Sequence, residues 1–187
     1  MIAYTPYSRT NRQFTERAHE LAQQQVYPDM FGVAVEQIDY QLLKDDTARA
    51  FLLDTAGAVD RLLRVTVKHL RMPITFDVQE RFRRPQYHRF QDITITEWNH
   101  NTNQPSELYK IRAGWFVYGY YDDQRGVFLD VVAIPVPELL WAITSGRLPH
   151  KTGENPRSNQ TFVSVRIPDL HDHGLIAIPC NDDWIPI

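Results

Sequence analysis

The apolar positions change period along the chain, from helical spacing near the start to alternation further on. Phe14, Ala18, Leu21, Ala22 and Val26 recur every three or four residues, with Glu16, Arg17, Glu20, Gln23 and Gln24 between them. This spacing predicts an amphipathic helix of about four turns. Thr10 or Asn11 suits its N-cap, and Pro28 with Gly32 marks its end. Residues 33–57 hold no decisive period, although 48–53 would fit a short helix. From Val59 the pattern is that of strands: 59–67, then 74–81 after the turn at Pro73, then the β-branched run 93–96. A polar, Asn-rich loop over 99–104 leads through Pro105-Ser106-Glu107 into a short helical stretch ending at Ile111. Two β-rich runs, 115–121 and 127–134, flank the hairpin signature Asp122-Asp123-Gln124-Arg125-Gly126. Pro137 opens a helix over 137–143 that Gly146 closes. Residues 150–160 read as the longest loop, 161–167 as a further strand, and the Pro-, Asp- and His-rich tail as surface packing. The order of elements predicts an α/β fold.

Composition narrows this picture. A chain of 187 residues, 43% hydrophobic and 23% charged, suits one domain over 1–187 with a real core. No stretch approaches the roughly 18 apolar residues of a membrane helix, so no membrane partner is expected. Residues 1–12 lack the apolar centre of a signal peptide, and the single Cys180 excludes an internal disulfide framework; the expectation is a cytoplasmic protein. A net charge of −3 gives no global attraction to nucleic acid, which leaves local patches as the only electrostatic route.

Candidate chemistry concentrates on the strand 74–81. Side chains alternate across a strand, so Ile74, Phe76 and Val78 share one face and Thr75, Asp77, Gln79 and Arg81 the other. Glu80 points with the apolar set and away from Asp77. Asp60 opens the preceding strand, and a hairpin would bring it toward Asp77. Two carboxylates with carbonyls and waters suit Mg²⁺, which prefers oxygen ligands. Such an ion polarises a phosphoryl oxygen and activates water for in-line attack.

An Asp opening one strand, followed by acid-x-Lys on the next and preceded by an acidic helix, resembles the core of the PD-(D/E)XK, or restriction-endonuclease-like, nuclease superfamily. Here Asp60 matches the first acid, and Asp77-Val78-Gln79 stands in place of (D/E)-x-K. The resemblance covers roughly residues 14–135 and leaves 136–187 as a C-terminal extension. It implies a central mixed β-sheet flanked by helices and Mg²⁺- or Mn²⁺-dependent hydrolysis of phosphodiester bonds, with DNA as the expected substrate. Asp60 and Asp77 would hold the metal, joined by the helix acid Glu20, with Glu16 as its alternative. Gln79 would orient the attacking water or act as a ligand. Gln79 is neutral where the family carries lysine, so Lys110 or Arg81 would supply the missing cation. An inactive module of this fold, binding nucleic acid or a protein, is the alternative. A homodimer would suit an enzyme that cuts both strands.

Arg81, Arg83, Arg84, His88 and Arg89 form a basic run beside this site, with Phe82, Tyr87 and Phe90 interleaved. Cations there would meet phosphates and the rings would stack on exposed bases. Each feature also has a plain structural reading. Asp77 would pair with Arg61, Arg64 or Arg81 on a sheet face, the arginines would be a solvated loop, and His171-Asp172-His173 an ordinary turn. Tyr118 and Tyr120 read as packing, and Cys180 has no base partner.

Overall fold

The computed structural model describes residues 9–42, 61–66, 73–176 and 178–179. The predicted first helix is present and longer than its apolar period required. Helix α1 (Arg9–Leu21) runs through a π-helical turn, Ala22–Val26, into α2 (Tyr27–Phe31). It begins before the expected caps, and Pro28 does not end it. Pro28 lies in the first turn of α2, where a missing N–H is tolerated, and Gly32 closes the helix in the left-handed conformation at φ 60°.

The π turn and the proline belong together. In an i to i+5 register, the Gln23 carbonyl would take its hydrogen bond from residue 28, and proline has none to give. The Tyr40 hydroxyl donates to that carbonyl instead, at 2.5 Å. Tyr40→Phe should therefore leave the Gln23 oxygen unpaired and lower stability by about 1–2 kcal/mol in urea unfolding. An unchanged midpoint would show that water replaces the hydroxyl.

After a 3₁₀ turn at Val35–Gln37 come β1 (Ile38–Leu42), β2 (Arg61–Val65) and β3 (Ile74–Arg83). A second 3₁₀ turn, Pro85–Phe90, precedes β4 (Asp92–Asn99), β5 (Gln104–Pro105) and helix α3 (Glu107–Lys110). The hairpin of β6 (Trp115–Asp122) and β7 (Val127–Pro135) leads into α4 (Val136–Thr144). Strands β8 (Lys151–Asn155) and β9 (Gln160–Arg166), helix α5 (Ile167–Asp172) and β10 (Ile178–Pro179) follow.

The strands form two sheets. The first has the order β1-β2-β3-β6-β7-β10, antiparallel except where β3 runs parallel to β6, so it is mixed as expected. The second, β5-β4-β9-β8, is antiparallel throughout and departs from the single central sheet. The expected strand 93–96 lies in this second sheet, paired with β9. Two further departures have one cause. β8 falls within the expected loop 150–160, and β1 within the undecided stretch 33–57. Both are edge strands among the described residues, so neither needs full apolar alternation; Lys151, Thr152, Glu154 and Asn155 are exposed.

Burial defines three layers. Between the sheets lie Ile93, Ile95, Val163 and Val165 against Phe116, Tyr118, Tyr120, Val132 and Ile134, closed by Leu139 and Leu170. On the other side of the first sheet, Ala22, Val26 and Tyr27 pack on Leu63, Val65, Val78 and Val117. Each fully buried aliphatic side chain contributes about 1.5–3 kcal/mol of transfer free energy. Among the described residues no helix is long and apolar enough to cross a membrane.

Candidate functional site

Alternation along β3 sorts its side chains as the sequence predicts. Val78 is fully buried and Phe76 and Phe82 pack beside it on the helical side. Glu80 points the same way and is enclosed: the Tyr27 hydroxyl donates to its Oε1 at 2.5 Å, and His19 Nδ1 stands 2.6 Å from its Oε2. Glu80 is thus separated from Asp77 by the thickness of the sheet. The opposite face carries Asp77, Gln79, Arg81 and Arg83, all partly exposed, with α3 and β4 covering it in part through their contacts with Arg81.

Asp77 Oδ1 accepts the Gly114 N–H at 2.9 Å and so ties the segment before β6 to β3. A Cβ at Gly114 would come 3.0 Å from that oxygen, so the close approach favours glycine. Next on the face, the Gln79 side-chain carbonyl Oε1 is buried and has no hydrogen-bond partner among the described residues. The Arg81 guanidinium follows: Nη1 donates to the Thr94 carbonyl at 2.9 Å, while Nη2 reaches Thr96 Oγ1 at 3.4 Å and Glu107 Oε2. Glu107 is only 8% exposed, and its Oε2 also accepts the Thr96 N–H at 3.3 Å. Its other oxygen, Oε1, is buried without a partner among the described residues.

The other expected residues are placed as follows. Lys110 ends α3, half-buried, and its ammonium has no hydrogen bond or ion pair among the described residues. Glu20 is exposed on α1, as is Glu16, and α1 covers the face of the sheet away from Asp77 and Gln79; the structure does not bring them together. Asp60 and Cys180 lie outside the described residues. Arg61, the chain neighbour of Asp60, is paired with Val78, the residue between Asp77 and Gln79.

Most of the basic run is engaged within the fold. Arg83 donates to the Tyr118 hydroxyl at 3.3 Å, lies 3.7 Å from Asp92 Oδ1 and stacks over Tyr87 at 4.3 Å. Burial would lower its guanidinium, but Tyr118, Tyr120 and Asp92 outweigh burial and raise it. Arg84 donates to Asn11 Oδ1 at 3.0 Å, lies 3.7 Å from Asp123 and covers the Phe14 ring at 4.6 Å. His88 Nε2 is 4.0 Å from Asp130 Oδ2; burial raises the Asp130 carboxyl and His88 offsets part of that shift. Arg89 alone of the run is exposed, resting over Phe90, itself 51% exposed. Tyr118 and Tyr120 are core residues, as expected. His171 and Asp172 close α5 rather than lying in a loop, with His173 at its C-cap. Among the described residues no three His, Cys, Asp or Glu side chains are grouped as a metal site.

Sequence reasoning missed Glu107, which read only as the start of a short helix. Its partner Arg81 is distant along the chain, and no spacing rule links the two. Comparisons with protein-family models, with curated proteins and with solved structures find no match to this chain.

Proposed function

We propose that the chain is a metal-dependent nuclease hydrolysing phosphodiester bonds in DNA, built on a divergent restriction-endonuclease-like core. The observation that carries this reading is the Gln79 Oε1, buried without a donor among the described residues on the same strand face as Asp77. A buried acceptor left unpaired is costly, and such atoms in native folds call for an unseen water or ion. Asp77 and Gln79 offer oxygen donors, the ligand type that Mg²⁺ or Mn²⁺ takes in such sites. When bound, the ion would supply Lewis-acid polarisation and a water activated near neutral pH. Asp60 and Asp77 would hold it, and Gln79 would hold the water or complete the ligand set. Lys110, the half-buried cation with no partner of its own among the described residues, would face the charge developing on phosphorus. Arg81 would steady the site from its tie to Glu107, and the exposed Arg89 and Phe90 would meet the backbone and bases of the strand.

The test is incubation of the full chain with single- and double-stranded DNA in Mg²⁺, in Mn²⁺ and in EDTA. Cleavage in either metal, absent in EDTA, is expected. DNA binding without cleavage would point to the second reading, an inactive module of the same fold. The engagement of Asp77 by Gly114 and of Arg81 by Glu107 favours that second reading. Neither cleavage nor binding would sink both.

A further inference from the structure

We propose that the groove between the first helix and β7 is a binding site for an organic amine, an ammonium group carried on an apolar body; it is independent of the nuclease reading. The groove encloses about 440 Å³ and lies on the helical side of the first sheet, across from Asp77. Small-molecule sites are of this size, at roughly 300–1,000 Å³. Its floor is apolar: Val26 and Val131 are buried, with the half-buried Phe128 and the more exposed Val127 beside them. Its rim carries Gln24, Gln25 and Asp29, all exposed.

Both walls are built on an inserted residue. The helical wall is the π turn Ala22–Val26, which supplies Gln24, Gln25 and Val26. The strand wall holds a β-bulge: Tyr120 pairs with Asp130 but Tyr121 with Phe128, so Leu129 is extra. Strict alternation would send Phe128 and Val131 to opposite faces, and the bulge turns both toward the helix. Insertions of these two kinds recur beside functional sites, where they re-aim side chains. The lining then selects the charge of the occupant. Asp29 is the one charged side chain in it and forms no ion pair among the described residues. Its carboxylate repels an anion and attracts an ammonium, and the Gln24 and Gln25 amide oxygens accept further N–H donors. Phe128, Val127 and Val131 suit the hydrocarbon part, and an aromatic ring in the lining adds to the preference for a cation.

The test is NMR titration of the full chain with phenethylamine, with spermidine and with 2-phenylethanol, which has the apolar body of the first without its charge. Both amines should give saturable shifts of the Gln24 and Gln25 side-chain amides and of the Phe128 backbone amide. The alcohol should bind at least about tenfold more weakly than phenethylamine, because it lacks the charge-assisted contact. Asp29→Asn, a change at an exposed position, should bring phenethylamine down to the level of the alcohol. Equal affinity for alcohol and amine, or parent-like amine affinity in Asp29→Asn, would overturn the proposal. So would the absence of saturable shifts at these groups with either amine. The comparison of amine with alcohol needs no variant and stands if Asp29→Asn does not fold.

Discussion

Asp77→Asn is expected, on the nuclease reading proposed above, to lose metal-dependent cleavage by about 10³-fold while its unfolding midpoint stays close to that of the parent chain. The structural tie of Asp77 and the metal role proposed for it make the outcome informative. Structurally, its Oδ1 accepts the Gly114 N–H at 2.9 Å, and an asparagine carbonyl accepts the same hydrogen bond. Chemically, the asparagine lacks the negative charge that a carboxylate brings to a cation. Loss of charge stabilisation worth several kcal/mol corresponds to about two to three decades in rate. Asp77→Ala should lose the same activity and, in addition, about 1–2 kcal/mol of stability, because the Gly114 N–H is left without its acceptor. Cleavage by Asp77→Asn within about tenfold of the parent rate would remove Asp77 from the chemistry and leave it a structural tie.

Arg81→Ala is expected to cost about 3 kcal/mol of folding free energy in urea unfolding. Removing one member of a buried ion pair leaves the other as an uncompensated charge, at about 3–5 kcal/mol. The low end applies because the Arg81 side chain is 29% exposed, so water replaces part of it, whereas Glu107 is shielded to 8%. The double variant Arg81→Met with Glu107→Met should recover much of the loss, since paired apolar replacements avoid the stranded charge. Equal destabilisation of the single and double variants would mean that packing rather than charge holds this corner. The comparison also bears on the proposed activity: Arg81 contributes to stability on its own account, so any activity lost in Arg81→Ala has to be read against the folded fraction.

The features legible in the sequence were those set by local periodicity. Strand alternation separated Asp77 and Gln79 from Glu80, and the structure keeps them on opposite faces of the sheet. Helical spacing from Phe14 to Val26 gave the first helix, and the turn signature at 122–126 gave the β6–β7 hairpin. What escaped depends on contacts distant in sequence. The second sheet was hidden because its edge strand β8 is polar, and because β4 reads equally well as a member of either sheet. Glu20 has the right chemistry for a ligand but the wrong side of the sheet, which helical spacing does not reveal. The basic run read as a row of free cations, yet Asn11, Tyr118, Asp92, Asp123, Asp130 and Glu107 each engage one of its members from another element.

The interleaving of the two sheets has a consequence for how the chain is made. β4 is synthesised between β3 and β6, yet its long partner β9 comes after both strands of the β6–β7 hairpin, with Asp92 opposite Arg166. The first sheet meanwhile closes its parallel pair, Val78 beside Trp115, across the segment that contains β4. Non-local pairings of this kind slow folding because a long loop is ordered before its contacts form. Until residues 160–166 leave the ribosome, β4 has, among the described strands, the two residues of β5 beside it, and Ile93 and Ile95 lack their cover from Val163 and Val165. A nascent chain halted in that interval presents an unpaired apolar edge, the form most exposed to wrong pairing with its neighbours.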